Sequence, residues 1–324
     1  MKADLEKENG PKLVVLGNRA IGPGYPCYVI AEIGINHNGD IELVKKLIDA
    51  AVEAGCDAVK FQKRTIEVVY SPAALAKPRA VPREMLENAV RRGVLSPEAV
   101  KRLEESNYEN STNGDQKLAL ELNYEEYVEI DLYCAEKGIA WFASCWDEES
   151  VAFIDQFDPV CFKIASASIT DIALLRYTAS TGRPIIMSTG MADLEMVERA
   201  VNAVDRDKLV LLHTVATYPA KDEDVNLKVI KTLQDAYSDV PVGYSGHELG
   251  AAISTAAVAL GAFVLERHIT LDGTMYGSDQ RASIEPHELK HLVEAIRKCE
   301  IAMGSGEKTF LEVEKPVAAS LRRK

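Results

Sequence analysis

The chain has 324 residues, 47% of them hydrophobic and 27% charged, a balance that belongs to a folded globular protein and excludes an extended disordered one. Its formal net charge of −13 disfavours nucleic acid and anionic membrane surfaces as partners, so an anionic ligand has to be drawn by a local cluster of buried positive groups. No apolar run approaches the ~20 residues of a membrane span and the opening MKADLEKENGPK carries no apolar signal stretch, so a cytoplasmic location is expected. Cys27, Cys56, Cys134, Cys145, Cys161 and Cys299 are spread without CxxC spacing and read as small buried hydrophobes in a reducing compartment.

In chain order, residues 1–12 are polar and expected to be loose. The segment from Leu13 to Tyr28, broken by Gly22-Pro23-Gly24 and Pro26, predicts a short hairpin-like lid, so that residues 1–26 form an N-terminal extension and hairpin. Eight short apolar runs follow: Cys27–Ile33, Ala58–Gln62, Ala140–Ser144, Cys161–Ile164, Pro184–Ser188, Leu209–His213, Val242–Ser245 and Phe263–His268. Between them lie segments of helical periodicity such as IELVKKLIDAAVEAG and YEEYVEIDLYCAEKG, several stopping at glycine. Strand–helix alternation implies a parallel sheet. Eight units, with no GxGxxG turn after the first strand, favour an α/β fold of the (β/α)₈ TIM barrel kind over an open doubly wound sheet. The barrel is expected over 27–305, with a charged, proline-containing insertion after strand 2 (63–123) that covers the catalytic face, and a linker-like tail over 306–324.

Active sites of such barrels lie at the C-terminal ends of the strands, and polar residues collect there. Strand 1 ends in Glu32, strand 2 in Lys60 and Gln62, strand 3 in Ser144, strand 4 in Lys163 and Ser166. Strand 5 ends in Ser188, strand 6 in His213 and then Tyr218, strand 7 in Ser245 and His247, strand 8 in Glu266 and His268. Side chains alternate along a strand, so Lys60 and Gln62, Ser245 and His247, and Glu266 and His268 each share a face. Two ammonium groups beside Ser144, Ser166, Ser188 and Ser245 make a cradle for phosphate and carboxylate. His247 and His268 end neighbouring strands and can converge on one divalent cation, leaving positions for water, substrate oxygens or Asp279. His213, His287 and His291 are expected to be structural or surface residues. Glu32, set in VIAEIGI, is expected to be desolvated and its pKa raised toward a useful acid or base.

These residues resemble the sialic acid synthases, a family that includes the N-acetylneuraminate, legionaminic and pseudaminic acid synthases. The resemblance covers about residues 25–305 and is carried by AEIGINHNG (31–39), VKFQK (59–63), STGM (188–191), GYSGHE (243–248), VALGAFVLERHITLD (258–272) and GSDQRAS (277–283). It implies a metal-dependent condensation in which phosphoenolpyruvate C3 attacks a sugar aldehyde, water adds at C2, and phosphate leaves by C–O cleavage to give a 2-keto-3-deoxy sugar acid. By the same resemblance Lys60, Ser144, Lys163, Ser166, Ser188 and Ser245 form the phosphoenolpyruvate cradle, and His247 and His268 hold manganese or magnesium. Gln62, Tyr218 and Asp279 are implied on the acceptor side, Glu32 as the acid–base group, and a homo-oligomer as the assembly.

Three departures from the family pattern bear on the acceptor. Ser168 stands where an acidic contact is common, Ala216 where a polar one is common, and the sequence ends at Lys324 without the antifreeze-like domain that usually lends an arginine to a neighbouring subunit. The acceptor is therefore expected to be N-acetylmannosamine-like or a related aldose, possibly phosphorylated, with Lys117, Arg83 or Arg91 of the insertion as cations for it. The alternatives are another barrel synthase or aldolase using phosphoenolpyruvate or pyruvate, and a non-catalytic ligand-binding homologue.

Overall fold

The computed structural model describes residues 10–323; the loose opening expected for 1–12 falls largely outside them. Eight strands close into a parallel barrel: β3 (Tyr28–Gly34), β4 (Ala58–Lys63), β5 (Ala140–Cys145), β6 (Phe162–Ile164), β7 (Ile185–Ser188), β8 (Leu209–Thr214), β9 (Val242–Gly246) and β10 (Val264–His268), the last pairing back onto β3. Two short strands, β1 (Val14–Leu16) and β2 (Arg19–Ile21), form an antiparallel hairpin ahead of it. Each barrel strand falls within one residue of its sequence expectation.

Local signals explain the helices that wrap the barrel. Helix Ile41–Ala54 starts at Asp40, whose side chain accepts from the Glu42 N–H, and stops at Gly55, whose φ of 83° lets its N–H turn back to Ala51 and Val52. Helix Tyr124–Lys137 opens with a capping box between Asn123 and Glu126 and ends at Gly138 in the same left-handed conformation. Their apolar faces, Val44, Leu47 and Ile48 on one and Tyr127 and Ile130 on the other, pack on outward-facing strand residues such as Val59, Phe61 and Ala143.

Inside the barrel, one step along several strands changes the chemistry. Ile30 is followed two residues later by Glu32, Ala58 by Lys60, Phe142 by Ser144, Cys161 by Lys163, Ile186 by Ser188 and Val264 by Glu266. The two-residue period keeps each pair on the same face, so an apolar layer lies beneath a polar one. Beneath the apolar layer sits the hairpin. Val14, Leu16 and Ile21 pack against Tyr28, Ile30, Phe142 and Cys161 and plug the N-terminal end of the barrel. The hairpin expected as a lid is thus a plug at the end opposite the catalytic mouth: the two-residue period puts Val14 and Leu16 on one face, which is buried with Ile21 against the apolar end of the barrel, while Val15 on the other face is exposed.

The insertion is built of short helices, Ile66–Val69, Pro72–Leu75, Arg83–Arg91, Pro97–Glu105 and Asn113–Leu120. Leu86, Ala89, Leu103 and Ala119 give it a core of its own, which includes Ile35 from the loop after β3. Arg92 pins it to the barrel, donating to Glu126, to the Ala119 carbonyl and to the Glu121 carbonyl at 2.6–2.8 Å. The tail expected as a linker carries a short helix, Lys315–Leu321, whose Val317 and Leu321 are exposed. Among the described residues no helix is long and apolar enough to cross a membrane.

Candidate active site

The polar layer is the floor of a small cavity at the C-terminal ends of the strands. Pairing of β3 with β4 sets Glu32 beside Lys60, and the Lys60 Nζ lies 2.9 Å from Glu32 Oε2. Lys60 also donates to Ser144 Oγ at 3.0 Å, and Gln62 Nε2 donates to Glu32 Oε1 at 2.9 Å. Across the floor Lys163 donates to Ser188 Oγ at 2.6 Å. Glu266 joins the two halves: its Oε1 is 3.6 Å from each lysine and accepts from Ser245 Oγ at 3.1 Å.

Two buried ammonium groups therefore face two buried carboxylates, and the environment pushes the four apart. Burial raises Glu32 to about 7, against the pull of Lys60 and with the help of Glu266. Burial also works against ionising Glu266, but Lys163 and Lys60 outweigh it and hold that carboxylate down at about 2. Lys163 is lowered to about 8, first by burial, with Glu266 opposing and Lys60 assisting. Lys60, equally buried, is held above its ordinary value by Glu266 and Glu32. With Glu32 ionised the floor is neutral; with Glu32 protonated it carries one net positive charge. The floor can thus take up a proton as an anion arrives.

Above Glu266 stand the histidines. The His247 and His268 rings lie 5.3 Å apart, and the Tyr218 ring stacks 4.1 Å from that of His247. His247 Nδ1 is 2.7 Å from the Val215 carbonyl, which can only accept, so that nitrogen carries the proton and Nε2 keeps its lone pair. His268 Nδ1 is buried without a hydrogen-bond partner, 3.9 Å from Asp279 Oδ2. Burial lowers both imidazoles to about 4, so both are neutral near pH 7, the form that ligates metals. Among the described residues no three His, Cys, Asp or Glu side chains converge on one point. A buried imidazole nitrogen without a partner, a second imidazole with a free lone pair and a flanking carboxylate suit a divalent cation that completes its shell with substrate or water oxygens.

The strand ends bearing these histidines are clamped from outside the barrel. Arg267, between Glu266 and His268, points outward and reaches Glu248 Oε1 at 3.0 Å, Ser254 Oγ at 2.8 Å and the Glu248 carbonyl at 2.6 Å. Glu248 accepts in turn from Tyr244 OH at 2.7 Å and Ser254 Oγ at 2.6 Å.

Glu32, Lys60, Gln62, Ser144, Lys163, Ser166, Ser188, Tyr218, Ser245, His247 and His268 all line the cavity, and Asp279 flanks it beside His268. His213 is buried against the Val225 carbonyl and His287 and His291 are exposed on helix Pro286–Met303, away from the site. Ala216 faces the cavity, but Ser168 does not: it is buried in the turn Ser166–Ser168, and Ala167 takes the lining position. Arg83 is paired with Glu87 at the surface and Arg91 with Asn88, so neither reaches the mouth. Sequence reasoning gave no role to Trp146, Thr214 and Met191 of the wall, nor to Glu266 as the bridge between the lysines. Glu266 shares a face with His268, and that period was the signal available for it.

Comparison with known proteins places this arrangement. Residues 47–308 match the NeuB family. The N-acetylneuraminate-9-phosphate synthase of Homo sapiens is 38% identical over 94% of this chain and 78% of its own length. The N,N'-diacetyllegionaminic acid synthase of Legionella pneumophila is 37% identical over 97% of this chain and 83% of its own. Among solved structures, the N-acetylneuraminic acid synthetase of Leptospira borgpetersenii, in complex with citrate, superposes with a TM-score of 0.74 at 31% identity, covering 98% of this chain and all of that one. A closed (β/α)₈ barrel with a polar cavity at its C-terminal mouth defines the class as a barrel enzyme, and the chain belongs to the NeuB family, whose relatives here are named synthases of sialic-acid-type sugars.

Proposed function

We propose that the cavity condenses phosphoenolpyruvate with the open-chain aldehyde of a sugar, giving a 2-keto-3-deoxy sugar acid and phosphate. The observation that carries the reading is the floor itself: two buried lysines and three serines surround a space in which a compact, highly charged anion can replace lysine–carboxylate contacts by lysine–phosphate ones. Lys60 and Lys163 hold the phosphate and carboxylate, with Ser144, Ser166, Ser188 and Ser245 donating hydrogen bonds. Both lysines are engaged with carboxylates, which disfavours the unpaired amine that a Schiff-base aldolase needs.

In the reaction C3 of phosphoenolpyruvate forms a bond to the aldehyde carbon, whose oxygen takes a proton. Water adds at C2, loses a proton, and the C2–O bond to phosphate breaks, so that one phosphoenolpyruvate, one aldehyde and one water give one keto acid and one phosphate. Glu32, held by Gln62 and poised at about 7, is the group that takes and returns a proton beside the reacting carbons. His247 and His268, with Asp279 beside them, hold a manganese or magnesium ion, which when bound supplies Lewis acidity toward the aldehyde oxygen. Gln62 and Tyr218 orient the acceptor at the rim.

The test is a stoichiometric assay of inorganic phosphate and 2-keto acid. Equal release of the two is expected only when an aldose and a divalent cation accompany phosphoenolpyruvate, with Glu32→Gln lowering kcat by about 10²-fold or more while phosphoenolpyruvate still binds. Phosphate release that ignores the sugar, or full activity in chelator, would overturn it.

A further inference from the structure

The outward face of the barrel is apolar along most strands, where Phe61, Ala143, Met187 and Leu211 belong to the core shared with the surrounding helices. At β9 and β10 it is not. Arg267 of β10 and Glu248, two residues beyond the end of β9, are 1% and 0% exposed and meet at 3.0 Å. They are also the sequence neighbours of the two histidines, since Arg267 precedes His268 and Glu248 follows His247. A buried ion pair often adds no stability over apolar side chains of similar volume, so stability alone does not account for this one.

β9 ends at Gly246, so His247 sits one residue past the strand and is placed by other bonds. Its Nδ1 donates to the Val215 carbonyl at 2.7 Å, and its own carbonyl accepts from the Ala220 N–H at 2.9 Å. On the far side of His247 the chain is held by one guanidinium: Arg267 Nη2 donates to the Glu248 carbonyl at 2.6 Å and Nη1 to the Gly250 carbonyl at 2.7 Å. Arg267 belongs to the strand that ends in His268, so this group ties both imidazoles to one frame. Glu248 holds the guanidinium in turn, its Oε1 also accepting from Ser254 Oγ of helix Ala252–Ala259 at 2.6 Å and its Oε2 from Tyr244 OH at 2.7 Å. Arg267 faces Gly246 in the β9–β10 register, and a Cβ on Gly246 would collide with the Glu248 carboxylate and the Tyr244 ring. The glycine before His247 thus lets the carboxylate after it fold back against its own strand.

We propose that Arg267 and Glu248 are positioning residues that set the spacing of His247 and His268 and thereby how tightly a divalent cation is held, an assignment that rests on the cation site proposed above. They act from the opposite side of the strands and do not touch the cation themselves. The two imidazole rings stand 5.3 Å apart, and a site with so few protein ligands loses much of its protein-derived binding when one ring shifts against the other. An apolar pair in place of Arg267 and Glu248 would fill the same space. It would make no bond to the Glu248 and Gly250 carbonyls, and the segment carrying His247 would be free to move relative to His268. Lys60 and Lys163 are bonded instead to Ser144, Glu32 and Ser188, so anion binding at the floor should change little.

The experiment titrates the metal-stripped full chain with manganese(II), reading the free ion by electron spin resonance, in wild type, Arg267→Lys and the double variant Glu248→Leu with Arg267→Met. Thermal denaturation and calorimetric binding of phosphoenolpyruvate in chelator are measured on the same samples. The double variant should raise the manganese Kd about 10- to 100-fold while its melting point and its phosphoenolpyruvate affinity change little. Arg267→Lys, which keeps the charge but has one nitrogen for the carbonyls that two nitrogens now serve, should fall between it and wild type. Folded variants with wild-type manganese affinity overturn the proposal, and so does a loss of phosphoenolpyruvate affinity as large as the loss for manganese, which would mark general damage to the mouth. If the double variant does not fold, Arg267→Lys decides by the same criteria. Wild type that binds no manganese removes the cation site and the positioning role with it, whereas wild-type binding that neither variant weakens removes the positioning role alone.

Discussion

Four ionisable side chains share the cavity floor, and their unequal environments give each a different task. Lys163 is the most informative, because burial brings it down to about 8 while Lys60 is held up by two carboxylates. Only the ammonium form attracts phosphate. As pH rises through about 8 the free enzyme therefore loses that charge, and kcat/KM for phosphoenolpyruvate should fall about tenfold per pH unit above it. Lys163→Arg, whose guanidinium stays charged, should move this limb beyond the accessible range even if the rate is lower. A wild-type profile flat to pH 10 would contradict the assignment. At this scale the sequence was legible where alternation decides the matter: Lys60 with Gln62, Ser245 with His247, Glu266 with His268. It was not legible where strand stagger decides. That Glu266 stands 3.6 Å from both lysines depends on how eight strands are offset around the barrel, which no single strand records. Ser168 shows the same limit: its place in the sequence suggested an acceptor contact, but the tight turn Ser166–Ser168 points Ala167 to the cavity instead.

Among the elements, β10 ends in His268 and β9 runs directly into His247, and a buried ion pair, Arg267 of β10 with Glu248 just after β9, ties the two strand ends together. Arg267 and Glu248 are almost wholly buried and bonded to each other, with Ser254 bridging both and Tyr244 donating to Glu248, while Arg267 Nε has no partner. Glu248→Ala would leave the guanidinium buried without its counter-ion, at a cost of about 3–5 kcal/mol by denaturant titration. The double variant Glu248→Ala with Arg267→Met should be less destabilised than Glu248→Ala alone, since no uncompensated charge remains. A single variant within about 0.5 kcal/mol of wild type would show that the pair does not hold these strands. The insertion was less legible than the strands. Pro72 and Pro97 sit in the first turns of helices whose N-caps are Ser71 and Ser96. Helices of four to nine residues complete too few turns for periodicity to declare them.

For the whole molecule, the barrel separates stability from chemistry along its axis. Apolar residues and the β1–β2 hairpin fill the N-terminal end, charged residues fill the C-terminal end, and the insertion packs its own small core against the loop after β3. Closure was legible because eight strand runs alternate with helices; the hairpin's end of the barrel was not, since either mouth lies within reach of a short segment that precedes the first strand. In a chain with net charge −13, two ammonium groups, Lys60 and Lys163, are buried on the floor, where the proposed anion binds. The central claim is that phosphoenolpyruvate is consumed at this floor by carbon–carbon bond formation and loss of phosphate with C–O cleavage. Phosphoenolpyruvate labelled with oxygen-18 in the bridging position tests it most directly, with the cation-loaded enzyme, an aldose acceptor and mass analysis of both products. The label is predicted to appear in inorganic phosphate, with solvent oxygen entering the keto acid at C2. Label retained in the keto acid, or phosphate formed without any new keto acid, would contradict the account.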